Sequence, residues 1–161
     1  MTEPKPIAIA NFSHLCVAVS DIERSLAFYT EVLGMEVVFD VELDGAGLDA
    51  ITGMTDGKGR MIGGLIGATM VELLALGDVP GVPEGPHLGY TNMSFRVDDL
   101  DAAYAALQRH HDVRVDPPVE VAGLRMLFVY DPDATPIELI ELPKGVRTTE
   151  QLWRPPAVGS R

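Results

Sequence analysis

Four polar side chains whose types could do chemistry occupy two pairs of matching places in the sequence. Glu72 stands in the apolar stretch MVELLAL, and Glu138 stands in PIELIEL. His14 lies in NFSHLCVAVSDIERSL, and Asn92 lies at the matching place in GYTNMSFRVDDLDAAY. An ionised carboxylate that is buried without a partner is costly, so each glutamate should face solvent, be neutralised, or meet a cation or a metal ion.

These side chains form a donor set that suits a divalent metal ion. Imidazole nitrogen and carboxylate oxygen both bind divalent first-row metals, whereas an amide oxygen is a weaker, neutral ligand. One nitrogen with up to three oxygens suits Mg²⁺, Mn²⁺, Fe²⁺, Co²⁺ or Ni²⁺ better than a closed structural zinc site, and Zn²⁺ stays among the candidates. Two glutamates at matching positions favour a shared site over two solvent-facing side chains. The expected metal ligands are His14, Glu72, Asn92 and Glu138.

The matching places arise from an internal repeat. A shift of 78 positions aligns His14 with Asn92. A shift of 66 positions aligns Glu72 with Glu138. Because the second shift is shorter, the first copy must carry extra residues between its ends, and the glycine-rich segment 44–60 is the candidate.

Each copy predicts the order β-α-β-β-β. An opening strand, 12–19 or 90–97, precedes an aspartate whose carboxylate can accept the free amide hydrogens of a helix's first turn. These aspartates are Asp21 and Asp99, and a helix follows each of them. Three further strands are expected at 35–43, 60–66 and 69–76 in the first copy, and at 113–122, 125–131 and 135–142 in the second.

The chain of 161 residues has the usual size of one domain, so we expect a single compact unit. A linker rich in proline and glycine separates the two copies, and the end of the chain has no repeat partner. The predicted boundaries are module one at about 11–76, the linker at 77–89, module two at about 90–142, and a C-terminal tail at 143–161.

Charge and hydropathy exclude several classes of partner. The formal net charge of -12 disfavours nucleic acid and anionic membranes. No window of eighteen apolar residues exists, and the start of the sequence lacks the pattern of an exported precursor, so we expect a cytoplasmic protein. Cys16 is the only cysteine, so no intrachain disulfide can form, and we expect it to be a small buried apolar residue.

The repeated unit resembles the vicinal oxygen chelate superfamily, which includes glyoxalase I, methylmalonyl-CoA epimerase, extradiol dioxygenases and bleomycin-binding proteins. The stretches SHLCVAVSDIERSLAFYTEVLGMEV, VELLAL, FRVDDLDAAYAAL and DPDATPIELIEL carry this resemblance. It implies an α+β fold in which paired βαβββ modules form a curved mixed sheet around one cleft. It also implies a homodimer, with metal ligands from the first and last strands of each module. Asn92 departs from the family pattern, which more often has His or Gln there.

Three functions remain open at this point. The first is a metal-dependent isomerase, epimerase or lyase of the glyoxalase-like type that acts on a small oxygenated organic substrate through an enolate-like intermediate. Glu138 is the first choice for the catalytic base, and Glu72 is the second. The alternative is a metal-free ligand- or drug-binding protein of the bleomycin-resistance type, which Asn92 favours. A ring-cleaving dioxygenase ranks last, because it needs two histidines and His14 alone is available among the four residues.

The predicted strands also indicate the character of the substrate. Methionine and phenylalanine residues such as Met126 and Phe128 suit a substrate with a hydrophobic portion, although most of them are expected in the core. Few lysines or arginines lie in these strands, and this disfavours a strongly anionic substrate. Arg96 and Arg125 are the exceptions.

Overall fold

The structure, a computed structural model, describes residues 7–83, 85 and 87–153. Two modules follow one another in the chain, and the first contains one helix more than the second. The first module comprises β1 (Leu15–Ala18), α1 (Ile22–Ala27), β2 (Glu36–Asp44), α2 (Ala46–Thr52), β3 (Lys58–Ile66) and β4 (Thr69–Ala75). The second comprises β5 (Met93–Val97), α3 (Leu100–Leu107), β6 (Val119–Val121), β7 (Leu124–Tyr130) and β8 (Pro136–Glu141), and a short helix, α4 (Thr149–Trp153), follows it.

Each module folds into one four-stranded mixed sheet. The strand order is β1-β4-β3-β2 in the first sheet and β5-β8-β7-β6 in the second. In both sheets the opening strand pairs parallel with the last strand of its module, and the other neighbours are antiparallel. The predicted α+β fold class, built from two βαβββ units, is therefore confirmed.

The helix that follows each opening strand begins where the sequence predicts. The carboxylate of Asp21 accepts hydrogen bonds from the amides of Glu23 and Arg24, at 3.1 Å each. That of Asp99 accepts one from the amide of Ala102 at 2.8 Å. After Ala27 the first helix continues as a π-helical segment, Phe28–Val32, a widening that the sequence spacing did not predict.

The strand expected at 113–122 is much shorter in the structure, where β6 covers three residues. Pro117 and Pro118 precede it, and proline has no amide hydrogen to give to a sheet. The residues before these prolines remain beside β7 through an isolated bridge between Val115 and Val129. The opening strands are shorter as well, because they begin at Leu15 and not at residue 12 in the first copy, and at residue 93 in the second.

The core occupies the helix-covered face of each sheet. Val17, Tyr29 and Val71 from the first module belong to the same buried cluster as Leu127 and Ile137 from the second. Cys16 contradicts the expectation of a buried residue, because it is exposed. The side chains along β1 alternate as expected, but this alternation buries Val17 and turns the cysteine to the other face.

Two aspartates in the β7–β8 turn connect the second module to the first. The buried carboxylate of Asp131 accepts a hydrogen bond from the hydroxyl of Tyr29 at 3.2 Å. Asp133 accepts one from the amide of Ser20 at 2.8 Å and one from the guanidinium of Arg24 at 3.0 Å. In the part of the chain that the structure describes, no helix is both long and apolar enough to cross a membrane.

Candidate metal-binding and substrate site

The strand registers place both glutamates at equivalent points on the last strand of each sheet. Glu72 on β4 lies between Cys16 of β1 and Gly63 of β3. Glu138 on β8 lies between Ser94 of β5 and residue 128 of β7. Because neighbouring residues in register share a face of a sheet, each glutamate projects from the face opposite the buried core.

His14 and Glu72 form the first polar pair. His14 lies one residue before β1, and its Nε2 atom is 3.4 Å from Oε2 of Glu72. The Glu72 side chain is 13% exposed and that of the histidine 45% exposed, so the pair sits at an open rim of the sheet. The other ring nitrogen of His14, Nδ1, is 3.1 Å from the hydroxyl oxygen of Ser13, which fixes the orientation of the imidazole.

Asn92 and Glu138 form the second pair at the matching place. Asn92 lies one residue before β5, and its Nδ2 atom donates to Oε2 of Glu138 across 3.5 Å. The amide oxygen of Asn92 accepts a hydrogen bond from the hydroxyl of Thr91 at 3.0 Å. To offer that oxygen to a metal ion beside Glu138, the amide group would have to rotate about its Cβ–Cγ bond.

A phenylalanine ring lies beside each glutamate, although the rings come from different strands. Phe128 is the direct register neighbour of Glu138. Gly63 is the corresponding neighbour of Glu72, and the ring of Phe39 fills the space where a side chain at Gly63 would project. Phe39 could not be found from the sequence, because this ring becomes equivalent to Phe128 only through the register of β2 on β3.

The donor set of the two pairs fits a divalent cation. Among the described residues, neither Glu72 nor Glu138 has a lysine or arginine within ion-pair distance. Both side chains are partly buried, and their polar neighbours, His14 and Asn92, compensate their charge only in part, so a bound cation would stabilise them further. An imidazole nitrogen within 3.4 Å of a carboxylate oxygen can share one metal ion with it.

The structure brings the four predicted ligands together as two pairs. Within residues 7–83, 85 and 87–153, no three His, Cys, Asp or Glu side chains are grouped so that they could hold one metal ion. His14 and Glu72 belong to the first sheet, whereas Asn92 and Glu138 belong to the second, and no strand ladder joins the described parts of the two sheets. Each pair is therefore half of the predicted ligand set.

A cavity of about 760 Å³ opens next to Asn92. Its walls include Phe128, Tyr130 and Arg114 from the second module, together with Val82 and His87 from the linker. Sequence reasoning missed Arg114, because residues 113–122 read as an ordinary strand. The signal that could have found it is the pair of prolines that ends regular pairing three residues later.

The chain is thus a paired-module α+β protein. Each of its two βαβββ modules carries a polar pair where its opening strand lies beside its last strand. The family model of the Glyoxalase/Bleomycin resistance protein/Dioxygenase superfamily matches residues 11–139. The chain belongs to this superfamily, as the resemblance of its repeated unit predicted.

Three relatives indicate how varied the functions of similar proteins are. A 2-epi-5-epi-valiolone epimerase from an Actinomyces species is 28% identical over 88% of this chain and 87% of its own length. The trypanothione-dependent glyoxalase I of Leishmania major has a TM-score of 0.60 and 28% identity, and the match covers 83% of this chain and 87% of that one. The antibiotic-binding protein TnmS3 from a Streptomyces species has a TM-score of 0.59 and 27% identity over 86% of this chain and 100% of that one.

Proposed function

We propose that the protein is a metal-dependent isomerase, epimerase or lyase that acts on a small oxygenated organic substrate through an enolate-like intermediate. The observation that carries this proposal is the equivalence of the pairs His14–Glu72 and Asn92–Glu138. Each pair has a partly buried carboxylate, a neighbouring nitrogen or oxygen donor and an adjacent phenylalanine. The Actinomyces relative, which is named as an epimerase, supports the isomerase branch of the proposal.

In this proposal the divalent ion is held by all four residues of the two pairs. When bound, the ion supplies positive charge that stabilises negative charge developing on a substrate oxygen. Weaker donation by the Asn92 amide makes us expect a loosely held ion of a hard or borderline type, such as Mg²⁺, Mn²⁺ or Co²⁺. The ligands would be His14, Glu72, Asn92 and Glu138.

Glu138 takes the role of the base in the proton transfer, as a glutamate displaced from the ligand set when the substrate binds. Its carboxylate removes the proton next to the substrate carbonyl, and the adjacent Phe128 ring keeps water from that side of the reacting carbon. Glu72 stands at the equivalent point of the other sheet, so in a closed site it approaches the substrate from the opposite side. If one carboxylate removes a proton from a substrate carbon and the other returns a proton to the opposite face of that carbon, the configuration of the carbon is inverted.

The complete site requires the open faces of two sheets to meet, and we propose that a homodimer achieves this. Val41 on the face of Glu72 is 42% exposed, and Val119 on the face of Glu138 is 50% exposed. Apolar side chains of this kind are covered when such a face packs against another sheet. In a two-fold arrangement, the His14–Glu72 pair of one copy meets the Asn92–Glu138 pair of the other.

Hydrogen–deuterium exchange at carbon tests the proposed chemistry even before the substrate is identified. The protein is incubated in D₂O with Mn²⁺ or Co²⁺ and a panel of small 2-oxo acids, hydroxyketones and cyclic ketones, and mass spectrometry then detects deuterium next to the carbonyl. We expect enzyme-dependent exchange in at least one compound, and we expect Glu138→Gln to abolish it. Glu120→Gln, which changes an exposed glutamate of the same sheet, is the matched control and should retain exchange. Exchange that survives Glu138→Gln would contradict the assigned base.

The alternative is a metal-free ligand-binding protein, and one contact favours it. The Asn92 amide donates a hydrogen bond to Glu138, which gives this carboxylate a partner without any metal. The antibiotic-binding Streptomyces relative shows that a similar chain can have a binding function. Tight binding of a hydrophobic ligand by protein treated with a chelator, without exchange in any compound of the panel, would support this alternative.

A further inference from the structure

The cavity beside Asn92 contains an arginine that has no carboxylate partner among the described residues. Four other arginines, namely Arg24, Arg60, Arg96 and Arg125, form ion pairs with aspartates or glutamates. Arg114 instead lies over the ring of Tyr130, with its guanidinium carbon 3.8 Å from the ring centroid. Among the described residues Arg109 and Arg147 also lack an ion pair, so what distinguishes Arg114 is that its guanidinium lies on a tyrosine ring at the wall of this cavity.

The backbone holds this arginine in place. The amide of Tyr130 donates to the carbonyl oxygen of Arg114 at 3.0 Å, and the amide of Asp116 donates to that of Phe128 at 2.8 Å. The tyrosine hydroxyl in turn donates to the Asp116 carboxylate at 2.7 Å, which fixes the ring under the guanidinium. A planar guanidinium stacked on a fixed ring keeps its N–H edge free for a planar, bidentate anion.

The same registers place the arginine on the face of the sheet that carries the candidate site. The bridge between Val115 and Val129 sets Arg114 beside Tyr130, which shares a face with Phe128 and Glu138. The cavity extends from Arg114 along Phe128 to Asn92. An anion bound at the guanidinium would thus belong to a molecule whose next atoms approach Asn92, the hydrogen-bond partner of Glu138.

The charges of the wall favour an anion in this cavity. No aspartate or glutamate lines its described part, and the linker histidine, His87, directs both ring nitrogens at backbone carbonyl oxygens, at 3.0 and 3.1 Å. Arg114 also lines a second cavity, whose wall holds three acidic residues, Glu31, Asp112 and Asp131, together with His110 and Arg24. Arg24 is already paired with Asp133, so this second wall is less favourable to an anion.

We propose that Arg114 binds a carboxylate group of the substrate, so that the substrate is a small carboxylic acid with an apolar body and a carbonyl group near Glu138. This inference rests on the proposed function and narrows its substrate class. A single guanidinium balances one negative charge, whereas a phosphate group carries nearly two and would leave charge uncompensated in an acidic protein. The apolar body follows from walls formed by Val82, Phe128 and Pro136. The assignment of Arg114 also revises the expectation from the sequence about anionic substrates, which considered Arg96 and Arg125 but not Arg114.

Nuclear magnetic resonance titrations test the carboxylate subsite without any turnover. The probes are 2-oxobutanoate and its methyl ester, and the signals followed are the Arg114 Nε–H and the Asn92 side-chain amide. We expect 2-oxobutanoate to shift both signals and to bind more tightly than the ester. Arg114→Gln should weaken the acid by about 10- to 100-fold and leave the ester unchanged, because a charge-assisted hydrogen bond is lost. Arg114→Lys, which retains the charge without the planar fork, should restore part of the affinity.

Arg109→Gln is the matched control, because it removes the charge of an arginine that does not line this cavity and should leave the affinity for 2-oxobutanoate unchanged. The inference is overturned if native protein binds the acid and the ester equally, or if native and Arg114→Gln protein bind the acid equally. It is also overturned if native protein binds inorganic phosphate more tightly than 2-oxobutanoate. The exchange experiment with Glu138→Gln is read separately. If Glu138→Gln abolishes exchange but Arg114→Gln leaves the affinity for 2-oxobutanoate unchanged, the carboxylate subsite is wrong and the proposed function stands. If Arg114→Gln weakens 2-oxobutanoate binding but Glu138→Gln retains exchange, the proposed function is wrong and the carboxylate subsite stands.

Discussion

At the scale of single residues, Tyr29 and Asp131 form a buried, hydrogen-bonded contact between the modules. Burial, and then the neighbouring Asp131 carboxylate, raises the pKa of the Tyr29 hydroxyl far above its ordinary value. Burial also raises the pKa of Asp131, although hydrogen bonds from the amides of Thr135 and Asp133 and from the tyrosine oppose this effect. The carboxylate is thus held in a place that favours its protonated form more than water does.

The raised pKa of Asp131 predicts how stability changes with pH. Below about pH 4 the carboxyl group is protonated in both the folded and the unfolded chain, so its contribution is fully present. As the pH rises from there towards the pKa of the folded state, the unfolded chain releases its proton first, and the contribution of Asp131 to stability is lost. The slope cannot exceed about 1.4 kcal/mol per pH unit for one group.

Asp131→Asn removes this titration while it keeps an oxygen that can accept from the turn amides. We expect the free energy of unfolding of native protein, minus that of the variant, to fall as the pH rises from about 4. Urea denaturation at several pH values measures it, and Asp78→Asn, at a linker position, controls for the change in net charge. A difference that stays constant or rises with pH would show that Asp131 does not titrate in this way.

At the scale of the elements, the place of Phe39 over Gly63 decides the shape of the first half of the site. A Cβ atom at Gly63 would overlap the Phe39 ring, so the ring and an alanine cannot both keep these positions. We expect Gly63→Ala to lower the free energy of unfolding by about 1–3 kcal/mol, as overpacking does, and to displace the ring from Glu72.

A double-mutant cycle checks the cause of that loss. In a Phe39→Ala background the ring is absent, so the same Gly63→Ala change should cost much less. Gly47→Ala is the control, because a Cβ atom there meets nothing within 4 Å and alanine suits the α2 helix better than glycine. An undiminished cost in the Phe39→Ala background would mean that the ring does not occupy the space over Gly63.

The sequence was sufficient to predict those elements that depend on local chemistry. The aspartate caps and the β-α-β-β-β order follow from residue types and the repeat. That His14, Glu72, Asn92 and Glu138 share one site stays a prediction. Features set by register between distant strands could not be predicted, and these include the Phe39 ring over Gly63 and the stacking of Arg114. Cys16 shows the limit clearly, because alternation separates two faces of a strand but does not say which one meets the core.

At the scale of the whole molecule, the two modules share a core but present their polar pairs separately. The buried cluster and the contacts of Asp131 and Asp133 join the helix-covered sides of the sheets. The opposite faces carry His14–Glu72 and Asn92–Glu138 beside exposed valines. We propose that these faces meet between two copies of the chain and hold one divalent ion at each junction.

Two inactive variants distinguish a site shared between copies from one formed within a copy. Glu72→Gln damages the first pair, and Glu138→Gln damages the second. In a dimer of one variant with the other, a shared arrangement gives one junction with both changes and one with neither. A site formed within a single chain would leave every junction damaged.

Calorimetric titration of Co²⁺ distinguishes the two arrangements when it is applied to native protein, to each variant, and to the two variants co-expressed in equal amounts. We predict that the native protein binds one ion per chain, that each variant alone loses this binding, and that the co-expressed mixture regains about a quarter of the native sites at native affinity, as random pairing requires. A mixture that binds no more Co²⁺ than the separate variants would contradict a shared site, and native protein that binds none would contradict the metal centre itself.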